Sequence, residues 1–128
     1  LLAVAPPARL AIVTSATREL ARARLGAAGL WNKVVNIVTI EDISRGKPDP
    51  EPYLKGAAAL GLAAGDCVVL EDAVSGTLSG KAAGARVLAL RTTTPEEELR
   101  RAGADWTADD CSALRCSAVP GRALELDV

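Results

Sequence analysis

Short apolar runs alternate along the chain with longer stretches whose apolar residues recur at helical spacing. The first run, ARLAIVTS at 8–15, ends in two hydroxyls, and its apolar centre predicts a buried strand from Leu10 to Val13. The next stretch, TRELARARLGAAG at 17–29, is rich in Ala, Leu, Arg and Glu. It stops at Gly29, which predicts a helix. NKVVNIVTIED, 32–42, is β-branched and predicts a strand over Val34–Thr39. Gly46, Pro48 and Pro50 make SRGKPDPEPY, 44–53, a loop. From about Glu51, Tyr53, Ala57 and Leu60 fall at i, i+4 and i+7, one helical face that closes at Gly61. Pro52 is compatible with the first turn of that helix.

CVVLE, 67–71, predicts another buried strand, AVSGTLSGKAAGA, 73–85, a helix, and RVLAL, 86–90, a strand. Gly76 and Gly80 each disfavour the helix by about 1 kcal/mol relative to Ala. Close approach of another element is therefore expected at both. In Thr94-Pro95-Glu96-Glu97, Thr94 is the expected cap, Pro95 the first helical residue and Glu97 the partner in a capping box. That helix runs to about Ala102. ADWT, 104–107, predicts a short strand, SALRC, 112–116, a helical turn, and RALELDV, 122–128, a last strand. Strands and helices alternating over short connections predict an α/β fold, a parallel sheet with helices on both faces. No linker divides the chain, so residues 1–128 are expected to form one domain.

Composition supports a folded domain rather than a disordered chain: 49% of the 128 residues are hydrophobic and 24% charged. The net charge is −1 and no basic block marks a nucleic-acid partner. No apolar run reaches the roughly 18 residues of a membrane span. The opening LLAVAPPA lacks a basic flank and a cleavage site, so no signal peptide is expected. Cys67, Cys111 and Cys116 are irregularly spaced and read as free thiols in a reducing, cytoplasmic setting. The chain has no His, which disfavours both a Cys–His nucleophile and a zinc site. It also has no Met and opens without a start, which points to a missing N-terminal portion. Trp31 and Trp106 read as packing or partly exposed aromatics, and Glu96-Glu97-Glu98 as a favourable first helical turn.

In open α/β sheets, ligands bind beyond the carboxyl ends of the strands. Three such ends here carry chemistry. Thr14-Ser15 offers hydroxyls and backbone N–H groups before a helix, suited to a phosphate oxygen or to simple capping. Lys47 sits in GKPDP, where prolines stiffen the loop, either as a fixed positive charge for a phosphate or as a solvated lysine. Glu71-Asp72 places two repelling carboxylates at a strand end, where a divalent cation would use both as ligands. Alternatively, Asp72 caps the next helix and Glu71 remains unexplained. Together they supply a hydroxyl, a cation and a carboxylate pair, roles that phosphoryl transfer requires.

AIVTSATRELARARL, SRGKPDPEPY, CVVLEDAVSG and VLALRTTTPEEEL resemble the haloacid dehalogenase (HAD) superfamily over roughly residues 9–108. The similarity is strongest to its branch of sugar and polyol phosphatases and phosphomutases with a helical cap. The resemblance implies a Rossmann-like HAD core and a Mg²⁺-dependent reaction on a small phosphorylated metabolite through an aspartyl-phosphate. It implies that Thr14, with the N–H of Ser15, binds the phosphoryl group and that Lys47 neutralises its oxygens. Glu71 and Asp72 would hold Mg²⁺, and Arg18 would reach the substrate or simply face solvent. The family's first motif, D-x-D after a strand, is absent from the 128 residues, as is the cap. Asp127 near the end completes no such motif. In the family that first strand is central, so the strands ending at Thr14 and Glu71 are expected to face a gap. The chain alone is then expected to be the C-terminal part of a longer enzyme and inactive by itself. Alternatives are a phosphomutase and a truncated, non-catalytic binding domain. A receiver-like protein fits less well, because there the acidic pair precedes the Thr and Lys. The substrate and the oligomeric state are not set by the sequence.

Overall fold

The computed structural model describes residues 9–34, 36–117 and 125–127. The opening LLAVAPPA and the first part of the predicted last strand lie outside the described residues.

The predicted alternation is present. Strand β1 (Ala11–Val13) pairs in parallel with β2 (Asn36–Val38), Val13 opposite Val38. A second parallel sheet joins β3 (Val68–Glu71), β4 (Arg86–Leu90) and β5 (Trp106–Ala108) in that order. Helices α1 (Arg18–Ala27), α2 (Glu51–Ala59), α3 (Val74–Ala82) and α4 (Glu96–Arg101) follow β1, β2, β3 and β4. Among the described residues β1 and β3 are not paired with each other, so the parallel strands divide into two sheets. The division falls where the family resemblance puts one more strand.

Helix packing explains which side chains are buried. α2 lies against β1, β2 and α3, and α3 lies against β3, β4 and α4. Val69, Ala85 and Val87 form a core cluster with Tyr53 packed on it. Full burial of a Val side chain contributes about 1.5–3 kcal/mol. β4, flanked on both edges, holds Val87, Leu88 and Ala89 at 0–1% exposure. The close approach expected at Gly80 is present: a Cβ there would lie 2.9 Å from Val87 Cγ2 and 3.2 Å from Val69 Cγ1.

Three local expectations change. The apolar run of β3 is not buried throughout: Val69 and Glu71 face α3, while Val68 and Leu70 are exposed. β1 is likewise half-buried. Both strands are sheet edges among the described residues, which accounts for the exposure. Thr94 does not cap α4, whose cap is Pro95; its hydroxyl instead donates to the Asp72 carbonyl at 2.8 Å. The helical turn expected at 112–116 is a 3₁₀ turn, Cys111–Ala113, capped by Asp110. Arg115–Ser117 then forms β6, antiparallel to β7 (Glu125–Asp127). That pairing joins segments separated along the chain, so local periodicity does not report it.

Candidate active site

Lys47 is carried on a braced loop. The Glu51 carboxylate accepts from the backbone N–H groups of Ser44 at 2.9 Å and Arg45 at 2.8 Å, closing the loop onto the start of α2. These donors, the Ser44 N–H foremost, hold the Glu51 carboxyl below its ordinary range. Asp49 accepts from the Glu51 N–H at 2.9 Å, and its carbonyl accepts from the buried Ser79 hydroxyl of α3 at 2.5 Å. The loop is thus tied both to itself and to the helix that follows Glu71.

From this loop the Lys47 ammonium reaches three oxygens. It donates to the Glu71 carboxylate, to Tyr53 Oη at 3.2 Å and to the carbonyl of Val13 at 3.4 Å. It also stands 4.9 Å from the centroid of the Tyr53 ring. Val13 ends β1 and Glu71 ends β3, so one ammonium spans the carboxyl ends of two strands that are not paired with each other among the described residues. The Lys47 and Glu71 side chains are 14% and 8% exposed, so the ion pair is largely shielded from water. A buried charge left without its partner costs roughly 3–5 kcal/mol.

Glu71 is held from several directions. Its Oε1 accepts from Lys47 and from the Tyr53 hydroxyl, and its Oε2 lies 3.2 Å from the Asp72 N–H. Burial, and then the adjacent Glu71 charge, keep the Tyr53 hydroxyl protonated far above the usual tyrosine range. The first turn of α3 lies directly against this carboxylate. A Cβ on Gly76 would fall 1.9 Å from Glu71 Cδ, so a glycine is required where helix and carboxylate meet. This is the close approach expected at Gly76.

Asp72 is exposed and does not cap α3, whose cap position is Ala73. No side chain among the described residues bonds or pairs with its carboxylate. Thr14 donates its N–H to the Val38 carbonyl at 2.9 Å, continuing the β1–β2 ladder, and its Oγ1 accepts from the Ala16 N–H at 3.1 Å. Ser15 is exposed at the same turn. Arg18 is engaged elsewhere: its guanidinium pairs with Asp42 at 2.6 Å, and its N–H donates to Glu41 at 2.9 Å. Asp42 in turn accepts from the N–H and hydroxyl of Thr39, each at 2.8 Å, and these bonds hold its carboxyl below the ordinary range.

The structure therefore brings Lys47 and Glu71 into contact, sets Asp72 beside them, and puts Lys47 on the residue preceding Thr14. Arg18 is turned to a neighbouring turn. Tyr53 and Gly76 complete the arrangement. Tyr53 has a sequence signal, a polar-tipped aromatic on the inner face of α2, which by spacing alone reads as packing. Among the described residues no three His, Cys, Asp or Glu side chains cluster as a ready metal cage. Mg²⁺ ordinarily keeps several waters and uses one or two carboxylates. The exposed Asp72 carboxylate, on the residue whose N–H meets Glu71 Oε2, fits a site of one or two carboxylates completed by waters.

The family model for haloacid dehalogenase-like hydrolases matches residues 6–90. Hexitol phosphatase A of Escherichia coli is 55% identical over 80 residues, covering 62% of this chain and 37% of that protein. Glycerol-1-phosphate phosphohydrolase 2 of Saccharomyces cerevisiae is 33% identical over 117 residues, 86% of this chain and 46% of that protein. Among solved structures, a hydrolase from Pseudomonas syringae superposes with a TM-score of 0.73 at 36% identity, over 78% of this chain and 46% of that one. A candidate β-phosphoglucomutase from Thermotoga maritima gives 0.73 at 30% identity, over 78% and 47%. The chain belongs to the haloacid dehalogenase-like hydrolases, and its relatives include sugar and polyol phosphatases. It spans less than half the length of each relative named here. No helix among the described residues is long and apolar enough to cross a membrane.

Proposed function

We propose that the protein to which this chain belongs is a cytoplasmic, Mg²⁺-dependent phosphatase acting on a small sugar or polyol phosphate. The observation that carries the reading is the position of Lys47, with its ammonium between the carboxyl ends of β1 and β3 and against Glu71. A phosphoryl group docked at that edge would meet a fixed positive charge, the Thr14 hydroxyl and the Thr14-Ser15 backbone. These groups orient it and offset the charge that builds on its oxygens. Glu71 and Asp72 would hold Mg²⁺, which when bound supplies further neutralisation of phosphoryl oxygens. The attacking aspartate would come from a segment upstream of residue 1, on a strand set between β1 and β3. It would form an aspartyl-phosphate as the alcohol leaves, and water would then release phosphate. The chain by itself would not turn over.

The identity with hexitol phosphatase A supports a polyol phosphate as substrate. The fold likeness to the candidate β-phosphoglucomutase favours a second reading, transfer of the phosphoryl group back to a sugar. The test uses the full-length natural protein, whose intact mass is measured first. A mass near the 13.2 kDa of this chain would favour a non-catalytic binding domain. The protein is then assayed against hexitol, glycerol and hexose phosphates with and without Mg²⁺. Phosphate release supports the phosphatase, isomerisation without release supports the mutase, and neither activity rejects both.

A further inference from the structure

The Lys47–Glu71 pair does not stand alone, because a third polar group sits between the two side chains. The Tyr53 hydroxyl donates to Glu71 Oε1 and accepts from Lys47 Nζ at 3.2 Å, while its ring lies under the ammonium. Tyr53 is anchored for this: α2 packs on β1, β2 and α3, and the Tyr53 ring packs on the Val69–Ala85–Val87 cluster. All three ammonium protons of Lys47 thereby have partners. Glu71 Oε1 receives two donors, whereas Oε2 has the 3.2 Å contact from the Asp72 N–H. The carboxylate is thus asymmetric, one oxygen turned inward to Lys47 and Tyr53 and the other turned toward Asp72. Gly76 lies against the carboxylate itself, since any Cβ there would overlap Glu71 Cδ and both of its oxygens.

We infer that Tyr53 is a positioning residue whose hydroxyl fixes the Glu71 carboxylate with Oε1 on Lys47 and Oε2 on the Asp72 side. Without the hydroxyl, the inner oxygen keeps only its bond from Lys47, and the plane of the carboxylate is held less firmly between Lys47 and the Asp72 N–H. The oxygen presented beside Asp72 then loses its fixed direction, and the ammonium loses one of the three contacts that hold it at the end of β1. Phenylalanine at the same place keeps the ring, the packing and the cation–π contact, so it isolates the hydroxyl. The consequence for Mg²⁺ rests on the phosphatase reading; the consequence for carboxylate orientation does not.

The experiment compares the full-length natural protein with its Tyr53→Phe variant in three measurements. The first is Mg²⁺ affinity by calorimetry. The second is the ¹³Cδ resonance of Glu71, assigned with Glu71→Gln. The third is steady-state hydrolysis with its thermal midpoint. Losing a hydrogen bond to a charged group predicts about a tenfold weaker Mg²⁺ affinity and about a tenfold lower kcat, with the KM for the phosphoester changed less than about twofold. The Glu71 resonance shifts in the variant, and the fold persists. An unshifted Glu71 resonance together with unchanged Mg²⁺ affinity overturns the inference, as does a fall in kcat matched by the unfolded fraction alone. If the wild type hydrolyses no phosphoester, the phosphatase reading fails and the resonance and the calorimetry still decide the role of Tyr53.

Discussion

The Lys47 ammonium lies on the Glu71 carboxylate, joining a loop and a strand end 24 residues apart in a site where both side chains are largely buried. Each charge is the other's principal compensation. This one pair therefore bears on stability and on the proposed chemistry at once, and substitutions here move both.

Lys47→Ala in the full-length protein removes the positive charge from the proposed phosphoryl-binding edge and leaves Glu71 buried without its ion partner. Activity is expected to fall at least about 100-fold. Stability is expected to drop by roughly 3–5 kcal/mol. Phosphate-release kinetics on the folded fraction, combined with denaturant titration, separate the two effects. A folded variant with wild-type kcat would remove Lys47 from the proposed chemistry.

Gly76→Ala and Gly26→Ala are expected to act in opposite directions, although both glycines are helical. At Gly76 the new methyl meets Glu71 Cδ at 1.9 Å, and either α3 or the carboxylate must move. Such overpacking costs about 1–3 kcal/mol and disturbs the Lys47 contact. At Gly26, in α1, nothing lies within 4 Å of the added carbon. There alanine is expected to stabilise by about 0.4–1 kcal/mol. Thermal midpoints of the two variants check the contrast.

Acid is expected to weaken the fold through several surface carboxylates. Asp42 is held below its ordinary value of 3.8 by the Thr39 N–H, Asp105 by Lys81, and Asp110 by the Ser112 hydroxyl. Glu51 is held below 4.5 by the Ser44 N–H, and Glu96 by Arg100. Each folded-state value is depressed, so the unfolded chain takes up protons first as pH falls. The stabilisation is present above the ordinary values and disappears as pH drops through the lower folded-state values. Denaturation midpoints should be level above about pH 5 and fall steadily below it. A midpoint that rises on acidification would contradict these assignments.

Chelation should abolish phosphate release by the full-length protein, and Mg²⁺ should restore it. Asp72→Asn keeps the size of the side chain and removes an exposed charge that no cation among the described side chains compensates. It is expected to change stability by under about 0.5 kcal/mol. It should weaken Mg²⁺ binding about tenfold or more, measured by calorimetry. Unaltered Mg²⁺ affinity would exclude Asp72 as a ligand.

Much of the framework could be read along the chain, because helix and strand periods are local properties of consecutive side chains. The alternation of four strand–helix units was legible in that way, as were the loop carrying Lys47 and the acidic end of β3. So were the two glycines in α3, since an unfavourable residue in a helix signals a neighbour too close for a side chain. The partners of individual polar groups were not. Thr94 looks like a helix cap and instead bonds the Asp72 carbonyl. Tyr53 looks like packing and also bridges Lys47 and Glu71. Arg18, close to the Thr14–Ser15 turn in sequence, is drawn to Asp42.

The sequence by itself determined the order of the four strand–helix units, the hydroxyl and carboxylate ends of two strands and the loop that carries the ammonium. Pattern and turn chemistry act within a few residues and leave their mark there. The tertiary structure alone decided which oxygen meets which proton, and which faces of β1 and β3 lie open. Those outcomes depend on helices packing across the sheets, which brings together groups that are far apart in the chain and have no local signature.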